Sequence, residues 1–151
     1  MYYHSPCGEM ILGSFDGKLC LCDWVDGRRR ALVDQRLQRI LNADYVDGSS
    51  DVLEMARHQL DEYFLRQRRE FDIPLLFIGT DFQKIVWNEL LKIPYGKTIS
   101  YGDLAQRIGM PNAVRAVANA NAVNAISIIA PYSNATTPAE TSSNRTCCSD
   151  S

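Results

Sequence analysis

A chain of 151 residues, 46% hydrophobic and 23% charged, has the make-up of a globular protein with room for one ordinary domain or two small ones sharing an interface. No apolar run approaches the roughly 20 residues of a membrane span, and Met1-Tyr2-Tyr3-His4-Ser5-Pro6 is not the basic-then-apolar start of a signal peptide, so no membrane partner and a cytoplasmic location are expected. The net charge of −2 does not mark a nucleic-acid binder, yet residues 1–79 hold 10 Lys+Arg against 13 Asp+Glu while residues 80–130 hold 5 against 3, a mild positive excess in the middle third.

The first third reads as β. Residues 9–15 and 18–25 are strand-like runs, and Asp16-Gly17 between them is a hairpin signal. Arg28-Arg29-Arg30 is read as a solvated turn or a helix start in preference to a phosphate grip. Over residues 52–69 a helix is expected, because Leu53, Ala56, Leu60, Tyr63 and Phe64 recur at three- and four-residue spacing. The short apolar run 73–78 is read as a strand leading into a linker through Gly79. The five cysteines, Cys7, Cys20, Cys22, Cys147 and Cys148, are odd in number, which argues for reduced thiols. His4, Cys7, Cys20 and Cys22 offer metal-ligand chemistry, but their spacing matches no common zinc motif; small buried side chains on a strand are the simpler reading, and no metal is expected.

Thr80 with Gln83 is a capping box opening a helix with Phe82, Ile85, Val86, Leu90 and Leu91 on one side, which stops before Pro94. Tyr95-Gly96 turns the chain. Ser100 with Asp103 opens a short helix through Leu104, Ala105 and Ile108 that stops at Gly109, and Pro111 suits the first position of the next helix, which runs to about Asn121. Two short helices joined by a glycine-containing turn describe a helix-turn-helix. The second carries Ala113, Ala116, Ala118 and Ala120, a thin surface that fits either close packing inside the protein or entry into a DNA groove, with Arg115 as the one large projecting side chain. Residues 125–130 are apolar and β-rich, as in a buried strand. From Pro131 to Ser151 there is no Ile, Leu, Val, Met, Phe or Trp, and a segment that buries so little apolar area is expected to stay disordered.

Ile99-Ser100-Tyr101-Gly102-Asp103-Leu104-Ala105, followed by the run from Gly109-Met110-Pro111-Asn112-Ala113-Val114-Arg115 through Asn124-Ala125-Ile126, resembles the methylated-DNA–protein-cysteine methyltransferases. Gly79-Thr80-Asp81-Phe82-Gln83, Val86-Trp87 and Ile93-Pro94-Tyr95-Gly96-Lys97-Thr98 also fit, and Ser5-Pro6-Cys7-Gly8 fits more loosely, so the resemblance spans about 130 residues. It implies an α+β protein: a ribonuclease H-like N-terminal unit of sheet and helix over residues 1–78, a winged helix-turn-helix alkyltransferase unit over 79–130, and the polar tail 131–151. It also implies a monomer whose partner is double-stranded DNA containing alkylated guanine, with no cofactor, because the alkyl group passes straight to protein. Carried over by position, Tyr101 helps rotate the damaged nucleotide, Arg115 fills the vacated stack and Asn124 hinges the recognition helix onto the active-site segment. Ser100, Ala113, Ala116 and Asn119 fall on the DNA-facing surface.

The departure from that family is abrupt. Where the family reads Pro-Cys-His-Arg, this chain reads Pro131-Tyr132-Ser133-Asn134, so Tyr132 takes the place of the cysteine and Ser133 that of the histidine. A phenol with a pKa of about 10 stays protonated and is a poor nucleophile toward carbon, whereas a cysteine beside a histidine reaches the thiolate form near neutral pH. Cys147 and Cys148 lie far along the polar segment with no histidine near them and are not expected to substitute. Three readings remain: a DNA-repair alkyltransferase, a non-catalytic module that binds alkyl lesions, or a frame-altered family member without DNA function.

Overall fold

The computed structural model describes residues 1–27, 29–94, 97–129 and the pair 135–136. It divides into two compact units, Met1–Gly79 and Thr80–Ser151, and its strands and helices together make an α+β protein.

The first unit opens with an antiparallel meander, β1 (Tyr2–Ser5), β2 (Gly8–Phe15) and β3 (Lys18–Trp24), in the order β1-β2-β3. Asp16 and Gly17 form the expected hairpin turn at φ 53° and 73°, the pair of left-handed positions whose twist matches the flanking strands. A bulge between Gly13 and Ser14 shifts the register from Gly13↔Leu21 to Ser14↔Leu19. β1 is an addition to the elements read from sequence; it seats Tyr3 opposite Met10, and both side chains are buried. β3 is buried continuously from Leu19 to Asp23, so it is covered on both faces, which accounts for the unbroken run Leu19-Cys20-Leu21-Cys22. Cys20 and Cys22 are buried free thiols, whereas Cys7 is disulfide-bonded, so the expectation of reduced thiols fails there.

Two helices follow. α1 (Arg30–Leu41) begins at the arginine run, buries Val33 and Leu37, and ends at Asn42 in the left-handed region. α2 (Asp51–Phe64) packs on all three strands through Val52, Leu53, Ala56 and Leu60, and the Ser50 hydroxyl accepts from the Leu53 N–H at 3.3 Å to cap it. It stops five residues short of the expected Arg69. Beyond Leu65, which is exposed, the chain offers only Arg66-Gln67-Arg68-Arg69, with nothing apolar to hold a further turn against the sheet, and Arg66 turns left-handed at φ 62°. The run 73–78 makes a single parallel bridge, Leu19↔Leu75, instead of a strand. Leu19 donates to the Pro74 carbonyl at 2.8 Å and Leu76 donates to the Leu19 carbonyl at 2.8 Å, but Pro74 has no N–H with which to lengthen the ladder.

The second unit contains α3 (Asp81–Leu91), β4 (Ile99–Ser100), α4 (Tyr101–Arg107), α5 (Val114–Ala122) and β5 (Ala135–Thr136). The capping box is complete: the Gln83 N–H donates to the Thr80 hydroxyl at 3.1 Å and the Thr80 N–H to the Gln83 side-chain oxygen at 2.9 Å. The buried stripe of α3 is Val86, Trp87 and Leu90, turned away from the expected one, since Ile85 and Leu91 are exposed. Burying the large indole outweighs burying Ile85, and its Nε1–H finds the Ala120 carbonyl at 2.9 Å. Pro111 precedes α5 instead of opening it. The Ala113 N–H donates to the Met110 carbonyl at 2.9 Å, closing a turn in which proline's fixed φ is as well suited as in a first helical turn.

Residues 125–129 are largely buried as expected, but β character is confined to a single bridge at Ile126, with a bend before it and turns from Ser127 to Ile129, so no strand forms. The Asn124 side-chain oxygen accepts from the Ile126 N–H at 3.0 Å, which bends the chain as α5 ends. The Ile129 N–H then donates to the Ser127 carbonyl at 2.7 Å around Ile128, a β-branched residue held at φ 70°. Within the segment expected to be disordered, Ala135–Thr136 pair in parallel with β4, a contact that needs main-chain groups and no apolar side chain; the rest of 130–151 lies outside the described residues, as do Tyr95 and Gly96.

Candidate nucleic-acid interface

α4 and α5 pack on each other, and their connection is built by the sequence Ile108-Gly109-Met110. The Met110 N–H reaches the Ala105 carbonyl at 2.9 Å and the Gly109 N–H the Gln106 carbonyl at 3.0 Å, with Gly109 at φ 77°. That double closure satisfies the last carbonyls of α4 and requires a left-handed residue at the position of Gly109. It stops α4 cleanly and lets the chain re-enter a helix four residues later.

α5 divides along its length into two faces. Val117, Ala120 and Asn121, at three- and four-residue spacing, are buried; Val114, Arg115, Ala116, Asn119 and Ala122 are exposed, and Ala113 and Ala118 are half-buried. The alanines therefore take both of the roles open to them, with Ala120 packing inside and Ala116 on the outer face. Arg115 and Asn119, one turn apart on that outer face, have no hydrogen bond or ion pair among the described residues. α5 also begins open. Its N-cap residue Ala113 supplies no side-chain bond and its first turn has no acidic residue, whereas α2, α3 and α4 are capped by Ser50, Thr80 and Ser100 and carry Asp51, Asp81 and Asp103. α1 begins likewise without a side-chain cap or an acidic first turn, and in α5 the positive end of the helix dipole is left without a carboxylate of its own, a setting suited to anionic oxygen.

The other positions singled out from sequence are distributed as follows. Ser100 is half-buried and its hydroxyl accepts from the Asp103 N–H at 3.0 Å. Tyr101, the first residue of α4, is half-buried and its hydroxyl accepts from the Asn121 amide at 3.2 Å. Asn124 is buried just beyond α5, turning the chain toward residues 125–129. Tyr132 and Ser133 lie outside the described residues. Among the described residues no three His, Cys, Asp or Glu side chains gather as metal ligands, and no helix is long and apolar enough to cross a membrane. Sequence reasoning passed over Trp87, whose indole ties α3 to the last turn of α5, and Asn121. The signal for Asn121 was present: an amide falls in the apolar register Val117-Ala120-Asn121, and a buried amide requires a partner.

Two family models match the chain: the "6-O-methylguanine DNA methyltransferase, ribonuclease-like domain" over residues 1–77 and the "6-O-methylguanine DNA methyltransferase, DNA binding domain" over residues 81–133. The methylated-DNA–protein-cysteine methyltransferase of Methanosarcina acetivorans is 38% identical over 134 residues, covering 87% of this chain and 80% of that protein. The constitutive Bacillus subtilis protein of the same name is 36% identical over 132 residues, covering 84% and 73%. Among solved structures, Mycobacterium tuberculosis OGT in complex with DNA superposes with a TM-score of 0.76 at 34% identity, covering 91% of this chain and 78% of that one. With both of its units matched and its helix-turn-helix in place, the chain belongs to the 6-O-methylguanine DNA methyltransferase family.

Proposed function

We propose that this chain recognises O6-alkylated guanine in duplex DNA by flipping the damaged nucleotide, and that it binds the lesion without accepting its alkyl group. The observation that carries the reading is the outer face of α5, where Arg115 and Asn119 have no bond or ion pair among the described residues and project from a helix of small residues that lacks a side-chain cap at Ala113. Small side chains at Ala113 and Ala116 let the helix backbone approach a groove closely. Arg115 is long enough to fill the space left by an extruded base, and Tyr101, one residue from β4, is placed to hold the rotated nucleotide. Extrusion costs a few kcal/mol of unstacking, and an inserted side chain offsets part of it. Asn124 hinges α5 to the buried turns that lead to Tyr132.

Alkyl transfer needs a soft, ionised nucleophile with a base beside it. Tyr132 and Ser133 supply neither, so no methylated peptide is expected in mass spectrometry after incubation with O6-methylguanine DNA. The test of recognition is a titration of duplexes with and without one O6-methylguanine across a salt series. Salt-sensitive binding with a clear preference for the lesion supports the reading; weak binding without preference overturns it.

One observation favours a second reading, a frame-altered family member without DNA function. The DNA-binding family model ends at residue 133, close to where the composition turns wholly polar. Translating the coding DNA beyond Ala130 in the other two frames separates the readings, because Cys-His-Arg in either frame identifies the alteration.

A further inference from the structure

Asn119 stands exposed in the middle of α5, one turn beyond Arg115, and makes no hydrogen bond or ion pair among the described residues. Ala116, Ala118, Ala120 and Ala122 around it are the best of helix formers, whereas an asparagine inside a helix competes for the backbone and weakens it. An alanine at this position would serve the fold better. The alanines also bear on which groove the helix fits. A helix with ordinary side chains is about 10–12 Å across and enters the major groove, roughly 12 Å wide, without being thinned. The minor groove is only about 6 Å wide, and small outer side chains let a helix backbone approach it. Of the exposed residues that follow Arg115 on α5, namely Ala116, Asn119 and Ala122, only Asn119 carries polar side-chain atoms.

A carboxamide offers a donor, Nδ2–H, and an acceptor, Oδ1, side by side. In the minor groove an A·T pair shows acceptors only, in either orientation, whereas a G·C pair adds the N2 amino donor of guanine. Only G·C meets both halves of the amide. We infer that Asn119 is a specificity-determining residue that selects a G·C pair beside the lesion through the guanine N2 amino group. The inference rests on the lesion-flipping reading above and deepens it, because it names the flanking sequence that the same helix favours. Four residues advance a helix by about 6 Å, and base pairs stack about 3.4 Å apart. With Arg115 in the vacated stack, Asn119 reaches a pair one or two steps away.

The test titrates the full chain with duplexes bearing one O6-methylguanine in which the pairs one and two steps to either side are permuted. The unchanged chain is expected to favour G·C over A·T at one of these positions by about three- to tenfold, the weight of one hydrogen bond. Inosine·C, which lacks only the N2 amino group, should bind like A·T, and 2,6-diaminopurine·T, which gains it, should bind like G·C. Asn119→Ala should melt no lower than the unchanged chain, keep the preference for the lesion and lose the preference for its neighbour. The isosteric Asn119→Asp keeps an acceptor without the amide donor and adds a charge facing phosphate, so it should bind every duplex more weakly. A G·C preference that survives Asn119→Ala, or that treats inosine as guanine, comes from duplex deformability and overturns the inference. So does an unchanged chain that prefers the lesion but ignores its neighbours. A chain that ignores the lesion itself overturns the lesion-flipping reading and this one with it, so the two failures are told apart.

Discussion

In the unit Met1–Gly79 several chemistry-bearing side chains are tied to one another, whereas the outer face of α5 presents polar side chains that make no such bond among the described residues. The Tyr3 hydroxyl donates to Asp61 at 2.7 Å and the Tyr45 hydroxyl to Asp34 at 2.7 Å, while Gln59 and Asp72 bond through side chain and main chain. Cys20 and Cys22, the thiols that attract attention in sequence, are neutral and buried, with burial pushing Cys20 up to about 11 and Cys22 higher still. Arg115 and Asn119 instead have no hydrogen bond or ion pair among the described residues. Under the proposed function, reactive residue types do not mark the site; the polar groups of a thin helix that have no partner among the described residues do. The largest test of the contrast lies in the first unit. Leu60 is fully buried where α2 meets the sheet, so Leu60→Ala should cost about 2–5 kcal/mol in urea unfolding with an unchanged slope. A loss below about 1 kcal/mol would mean that α2 does not anchor the sheet.

The next effect is alkaline. Cys20, Cys22, Tyr3 and Tyr45 all have folded-state affinities for their protons raised by burial, the tyrosines also by hydrogen bonds to Asp61 and Asp34. Between the ordinary ionisation and the raised one, the unfolded chain has lost the proton and the folded chain keeps it. Stability therefore falls as pH rises, by about 1.4 kcal/mol per pH unit for each buried thiol and by less for Tyr45, whose exposure screens it. For Cys20 the window runs from its ordinary value near 9 to about 11. Denaturation midpoints measured from pH 7 to 11 should hold to about pH 8.5 and then drop steeply. A flat profile would show that these thiols and phenols are solvated. DNA binding, measured below about pH 8.5, should be insensitive to these groups.

Arg115→Ala comes next and addresses the open unit. Removing the side chain should reduce lesion-duplex affinity by about 1–3 kcal/mol. If Arg115 fills the vacated stack, the preference for the lesion falls and the salt slope hardly changes; if it only grips phosphate, both duplexes weaken alike and the slope falls by about one. The second outcome would remove Arg115 from the flipping apparatus.

What was legible in the sequence follows from how local each signal is. The Asp16-Gly17 turn, the Thr80–Gln83 box and the Gly109 stop were readable because two to four adjacent residues make each of them. β1 was not, because Tyr2–Ser5 becomes a strand only through its pairing with β2. The face of α3 was misplaced because a distant group, the Ala120 carbonyl, decides where Trp87 points, while the end of α2 and the start of α5 were misplaced because an unbroken polar run after Leu65 and a turn from Met110 to Ala113 end one helix early and begin the other late. Residues 125–129 read as a strand since they are apolar, but the Asn124 side chain bends them, and that bond competes with any ladder. Of the candidate site, Arg115 and Asn119 followed from register along a helix, while the Tyr101–Asn121 pair, 20 residues apart, required the packing of α4 on α5.

The smallest expected effect tests the helix ends themselves. α3 and α5 differ at their N-termini: Thr80 and Asp81 close that of α3, and among the described residues α5 has no side-chain cap from Ala113 and no acidic residue in its first turn. If the open end exists for anionic oxygen, adding a carboxylate there should help the fold and harm binding at once. Ala113→Asp is the substitution of choice. Ala113 lies at φ −96°, ψ 27°, far from the extended backbone that side-chain capping favours, so the gain comes from the helix dipole alone, about 0.3–1 kcal/mol. Affinity for duplex DNA should fall about three- to tenfold at low salt, and the deficit should shrink as salt screens the new charge. Ala113→Asn, of the same size without the charge, should leave binding nearly unchanged. At the closed end, Thr80→Ala should cost about 1 kcal/mol of stability and nothing in affinity. If Ala113→Asp binds DNA as well as the unchanged chain, the open end of α5 is not where phosphate sits, and its lack of a cap is a feature of the fold alone.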